Sequence, residues 1–311
     1  MRVHRPVLPE LGFLLLLATL WGGAYTFIRL GVETIPPITL IAARTLLAGC
    51  ILLGILRIRK VDMPRDRQSW LNFFIQACLN SAVPFTLIAW AEQHVDAGLA
   101  VILNAMTPIF AFIMTALVTR HEGVSFGKLT GILSGMAGTC LIVGTSAFAG
   151  AGHDLTGELA VVFASVAYAA AAIFGQRFRT YDAMVPAAGS MLCASAMLIP
   201  LSLIVDHPWQ LHPSLMSMMA LVFLSVFSTA GAFVIYFRLM RTLGTVGTTA
   251  QGFVRVPIGV AISMAFLGER PSAVAWVGLV FILPGVLAMT LPASLWQDKK
   301  ALLRRKARLQ A

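Results

Sequence analysis

Apolar runs of membrane-spanning length, almost free of charge, recur along this chain from one end to the other. They lie near 11–28, 38–56, 71–91, 97–118, 129–149, 159–175, 185–205, 215–237, 245–267 and 273–292. Each is about 17–24 residues long, and a helix needs about 20 apolar residues to cross the hydrocarbon core. Only 12% of the 311 residues are charged, about half the roughly 25% of soluble domains. The expectation is an all-α polytopic membrane protein with ten transmembrane helices.

A net charge of +10 would suit a nucleic-acid binder if it were gathered on one surface, but it is not. Arg57, Arg59, Lys60, Arg65 and Arg67 follow the second run, and pairs at Arg120/Lys128, Arg177/Arg179 and Arg238/Arg241 follow the fourth, sixth and eighth. Arg2 and Arg5 precede the first run, and a basic tail follows the last. The alternate loops hold only Arg29 and Arg270. Lys and Arg collect on the cytoplasmic side of membrane proteins, so both termini are expected in the cytoplasm of a cell with the chain in its inner membrane. The charge then reports topology, and no nucleic-acid partner is expected. The first run is too long for a signal peptide and has "LWGGAYTF" where a cleavage site would fall, so it reads as an uncleaved span. Cys50, Cys78, Cys140 and Cys193 all fall inside runs, which implies no disulfide framework.

The chain also repeats itself. Pro108, Glu122, Gly131 and Gly138 recur as Pro257, Glu269, Gly278 and Gly285, with the last three at identical intervals. Each half holds five runs. Five is odd, so the second half enters the membrane from the opposite side, giving an inverted five-plus-five repeat of the kind that supports alternating access around a central site.

These residues, with "LWGGAYTFIRLG" in the first run and Arg44 in the second, resemble the paired EamA domains of the drug/metabolite transporter superfamily. The resemblance covers nearly the whole chain and divides it into a first repeat at 8–149, a second at 155–292 and a basic cytoplasmic tail at 293–311. It implies a ten-helix carrier of small metabolites, with a site lined mainly by spans 1, 3, 4, 6, 8 and 9. The second half departs from the first: Leu192 stands near the place matching Arg44, and Tyr168 or Ala169 near that matching Trp21.

Among candidate site residues, Arg255 comes first. It lies about 15 Å into the ninth run at 1.5 Å per residue, where a cation costs about 2.5–3.5 kcal/mol unless it faces protein or water. Thr248 and Gln251 share its helix face. The stripe reads either as a binder of an anionic or amide-bearing substrate or as an Arg bonded to carbonyls freed by Pro257. Pro108 and Pro257 are candidate kinks or gates. Asn104 and Asn80 are candidate cavity residues, with interhelical hydrogen bonding as the competing role. Arg44 either meets substrate charge or bonds carbonyls or Glu33. Trp21 and Tyr25, on the face that continues to Arg29, offer an aromatic wall or plain packing. Trp90, Tyr168 and Tyr236 complete the set.

No Asp, Glu or Lys falls near the middle of any run, so the membrane-embedded Glu of small multidrug exporters is missing from the first span. An intramembrane enzyme would need a nucleophile with a base, or a metal cluster, at depth. All six histidines lie in terminal or loop segments. The reading is a secondary transporter rather than an enzyme, with no cofactor or metal. Its cargo is expected to be a small polar metabolite, an amino acid or related carboxylate first, moved outward rather than inward. A drug-like or nucleotide-linked metabolite is the alternative. Its partners are that small molecule, membrane lipids and, as an open alternative, further copies of itself.

Overall fold

The computed structural model describes residues 7–119, 130–131, 133–138, 140–141, 152–182, 184–242 and 251–290. Among the described residues every regular element is helical. α1 (Val7–Val32) and α2 (Pro37–Ile58) come first. The third apolar run is a stack of α3 (Arg67–Ala77), a π-turn (Cys78–Ala82) and α4 (Val83–Ala91). α5 (Ala97–Asn104) and α6 (Thr107–Thr119) follow, and residues 130–141 are helical where described. Then come α7 (Gly152–Phe174) and α8 (Met184–Val205). α9 (Leu215–Ser225), a second π-turn (Val226–Gly231) and α10 (Ala232–Thr242) form another stack. α11 (Gln251–Leu267) and α12 (Ala273–Thr290) complete the described chain. Among the described residues six helical stretches are long and apolar enough to cross a membrane, and three shorter apolar helices accompany them.

The surface is inverted relative to a soluble protein. Leu15, Leu47, Phe163, Ile204 and Phe266 are exposed, while Thr26, Arg44, Asn104, Ser165 and Thr229 are buried. Soluble monomers rarely expose apolar patches on this scale. Lipid is the solvent that makes such an arrangement favourable.

Loops gather at two ends. At the one that carries Glu92, the Thr34 hydroxyl donates to Ser217 Oγ at 2.8 Å, and the Thr39 N–H and hydroxyl both donate to Asp206 at 2.8 and 2.7 Å. At the other end, which carries Arg59, the Ser69 and Tyr181 hydroxyls lie 2.6 Å apart and Arg59 pairs with Asp182 at 3.3 Å. There Arg238 also reaches Glu10 at 3.0 Å.

Between the ends, packing is reciprocal across the chain. α2 lies along α8; α1 packs on α9, α10 and α11; α7 packs back on α4, α5 and α6. The α1–α11 crossing is backbone on backbone. A Cβ on Gly22 would stand 2.7 Å from the Arg255 carbonyl oxygen, and one on Gly259 would stand 3.0 Å from the Gly22 oxygen. Only glycine fits such an approach, as in other close helix pairs within membranes.

Two features differ from the sequence expectation. The run at 97–118 is not one helix: it stops at Asn104 and restarts at Thr107. Pro108 therefore sits in the first turn of a new helix, where its missing N–H is tolerated. Pro257, in contrast, lies inside α11, which continues through it.

Candidate functional site

The interior of the bundle is polar where these helices meet. On α11, Gln251 and Arg255 sit one turn apart, and the Gly22 crossing brings the Arg255 backbone against α1. Arg255 Nε and Gln251 Oε1 are both buried with no hydrogen-bond partner. Tyr25 on α1 and Tyr168 on α7 lie within electrostatic reach of Arg255 and of Arg44. Thr248, expected on the same face, lies outside the described residues.

The break between α5 and α6 supplies the next part. Asn104, at the end of α5, donates through Nδ2 to Tyr25 Oη at 2.6 Å. Its Oδ1 accepts from the Thr107 hydroxyl at 2.8 Å and from the Ser165 hydroxyl at 3.4 Å. Asn104 thereby ties α1, α6 and α7 together.

Arg44 enters from α2. Its Nε donates to Thr229 Oγ1 at 2.9 Å, and its guanidinium carbon stands 4.2 Å from the Phe85 ring centroid. Phe85 in turn meets Tyr168 at 6.3 Å between centroids. The partner of Arg44 is thus a hydroxyl and a ring face, not Glu33 or a bare carbonyl. Thr229 is available because the second π-turn widens the helix there; its hydroxyl also donates to Leu224 O, five residues back, at 2.8 Å.

The structure therefore brings Arg44, Arg255, Tyr25, Tyr168 and Asn104 together. Trp21 is set apart from them: its Nε1 donates to Ser228 O at 3.2 Å and its ring packs on Tyr236 and Phe233. Asn80 lies in the first π-turn. Trp90 is on the surface, against His94. The sequence reading missed Thr107, Ser165, Thr229 and Phe85, which are ordinary residues in apolar runs; only Pro108 hinted that the chain would break beside Asn104.

A second polar space opens at the Glu92 end. This cavity, about 470 Å³, is lined by Arg29, Glu33, Asp96, Leu267, Glu269 and Arg270. Glu269 accepts the first two N–H groups of α5, from Ala97 at 2.8 Å and Gly98 at 2.9 Å. A carboxylate is stabilised at a helix N-terminus, so Glu269 closes one helix from the loop of another. Glu122, its repeat partner, lies outside the described residues.

Fixed cations, tyrosine hydroxyls and an amide, enclosed by apolar helices, can hold a small anionic or zwitterionic molecule. Among the described residues no cluster of His, Cys, Asp or Glu could hold a metal ion. An apolar helical bundle around such an interior is the build of a membrane transporter. The chain belongs to the EamA-like transporter family, which it matches over residues 8–144 and 155–291. It is 30% identical over 298 residues to the uncharacterized inner membrane transporter YedA of Escherichia coli (strain K12), covering 95% of both chains. It is 25% identical to a probable terminal-alkyne amino-acid exporter of Streptantibioticus cattleyicolor, over 88% of this chain and 91% of that one. A solved crystal structure, 18% identical and covering 91% of this chain and 96% of its own, shares the fold with a TM-score of 0.61.

Proposed function

We propose that this protein is a secondary carrier that moves an amino acid or related small carboxylate out of the cell by alternating access. The observation that carries the reading is Arg255. Its Nε is buried without a partner, within electrostatic reach of Tyr25 and Tyr168, and a cation in a membrane interior is costly unless it faces a partner, water or a visiting anion. In this reading the substrate carboxylate meets Arg255, while Gln251, Tyr25, Asn104 and Tyr168 recognise the rest of the molecule. Arg44, already held by Thr229, adds positive field. The named amino-acid exporter among the relatives favours this substrate class and direction.

The carrier works as two five-helix repeats of opposite orientation, 8–149 and 155–292, giving ten spans and a cytoplasmic tail at 293–311. Reciprocal packing supports this, since α1 lies on the second half as α7 lies on the first. The placing of the π-turns supports it too: each follows an 11-residue helix whose first turn is capped, by Asp66 or by Ser214. The basic loops favour the Arg59 end in the cytoplasm and the Glu92 end outside. Counterflow of radiolabelled amino acids and 2-oxo acids into proteoliposomes tests the function. Saturable exchange of at least one such compound is expected; absence of exchange across the panel, with folded protein, rejects it.

A further inference from the structure

Glu92 stands one residue beyond the span Arg67–Ala91, at the outer end of α4. It is 0% exposed, and both of its carboxylate oxygens lack a hydrogen-bond partner. Arg29 and Arg44 favour its charged form, while burial and Glu269 oppose it more strongly. It caps the C-terminus of α4, the end at which a helix disfavours negative charge. Arg29, the nearest cation from α1, donates to the Glu92 backbone carbonyl and not to its carboxylate. Glu269, whose charge the N-terminus of α5 stabilises, faces it from the loop after α11. From the other packed elements come Arg44 on α2, Tyr25 on α1 and Glu158 on α7, whose neighbour Gly157 lies against Ala91, His94 and Val95. His94 and Asp96 follow on its own loop.

Resting on the carrier reading and orientation above, we propose that Glu92 is a proton-binding site whose protonation state sets the closure of the outer cavity. A buried carboxyl without a donor is held neutral, since ionising it there costs far more than in water. Arg29, bonded to the Glu92 backbone carbonyl, and Glu269, within electrostatic reach of its carboxyl, both line the outer cavity. In the closed form the carboxyl keeps its proton. When the cavity opens and Arg29 and Glu269 move apart, water reaches it, the O–H bond breaks, the electron pair stays on the carboxylate and the proton leaves on water. Re-burial requires a proton again, taken back from the same outer water, so closure of the outer side follows the external pH. Burial first, and then the Glu269 carboxylate, pushes the Glu92 acid well above the usual carboxylate range, in keeping with this cycle.

Two measurements decide it. Infrared difference spectra of the purified protein, taken while the pH is raised, should show a protonated-carboxyl band that survives above the usual carboxylate range. That band should be missing in Glu92→Gln. Glu269→Gln, which keeps an acceptor for Ala97, should shift its disappearance to lower pH. A band identical in wild type and Glu92→Gln overturns the proposal. In proteoliposomes, Glu92→Gln should still exchange the amino acid that gives the strongest wild-type counterflow, yet lose the dependence of that exchange on pH. Exchange by Glu92→Gln that keeps the wild-type pH dependence overturns it as well. If the wild type exchanges no compound of the panel, the carrier reading fails by itself, and the infrared band still decides Glu92.

Discussion

In the third apolar run the chain widens at Cys78–Ala82, where Pro84 has no N–H to offer the Asn80 carbonyl and Val83 N–H reaches back to Cys78 O. In the corresponding run of the second half it widens at Val226–Gly231, with Ala232 N–H on Phe227 O and no proline in α9 or α10. There hydroxyls take up the carbonyls: Thr229 donates to Leu224 O and Ser228 to Leu20 O. A π-turn is rare and tends to mark a functional place. Reaching one by a missing donor needs no hydroxyl from the turn itself, and Ser81 Oγ is indeed buried with no partner. The hydroxyl-built turn instead holds Arg44 through Thr229 and Trp21 through the Ser228 carbonyl. The same widening thus serves one half as shape and the other as a mount for charge.

The largest effect is expected where the halves meet. Gly22→Leu drives side-chain atoms into the Arg255 carbonyl, and should destabilise by about 3 kcal/mol or more, the upper range of overpacking. Little folded protein should be recovered after detergent extraction. A stable Gly22→Leu protein would show that α1 and α11 do not cross backbone to backbone.

Matched substitutions in the two turns should then differ in sign. Thr229→Val strips Arg44 Nε of its partner and should cost about 1–3 kcal/mol, the penalty for a buried donor left unpaired. Ser81→Ala removes a hydroxyl that bonds to nothing and should raise stability by about 0.5–1 kcal/mol. Thermal unfolding of the two variants checks both. Equal losses would erase the distinction between the turns.

The smallest effect separates the caps. Asp66 accepts Ser69 N–H at 2.8 Å and its hydroxyl at 2.9 Å, while Ser214 accepts Ser217 N–H at 3.1 Å. The Ser69 hydrogen bonds hold the Asp66 acid below its ordinary range. Its contribution is therefore present above the ordinary carboxylate pKa and lost as pH falls through the lowered one. Asp66→Ser should flatten that acid loss and change little at neutral pH. An acid profile of thermal stability left unchanged by Asp66→Ser would rule the contribution out.

Much of the frame was legible before any coordinates. Long apolar runs and alternating basic loops are one-dimensional signals, and a membrane admits few solutions to them. The polar interior was legible only in part. Arg255 and Arg44 declare themselves because a cation inside an apolar run needs a partner. That the Arg44 partner is Thr229 depends on a turn 185 residues away, made without proline and so without a sequence mark. Trp21 and Trp90 read alike as aromatics, yet one packs inside on Tyr236 and the other lies on the surface against His94. In the sequence Glu92 is one carboxylate directly after an apolar run. Its burial comes from α1, α7 and the Glu269 loop, which no local pattern places beside it.

The central claim, that Arg255 receives the substrate carboxylate, is tested most directly by Arg255→Met, measured for thermal stability in detergent and for counterflow on the same preparation. The buried Nε of Arg255 lacks a partner in the free protein, so methionine should leave stability equal or higher. Loss of a charge-assisted hydrogen bond of about 1.5–3 kcal/mol corresponds to roughly a 10–100-fold weaker exchange. Arg255→Lys, which keeps a point charge but not the planar fork, should fall between methionine and wild type. A stable Arg255→Met protein that exchanges substrate as the wild type does would contradict the account.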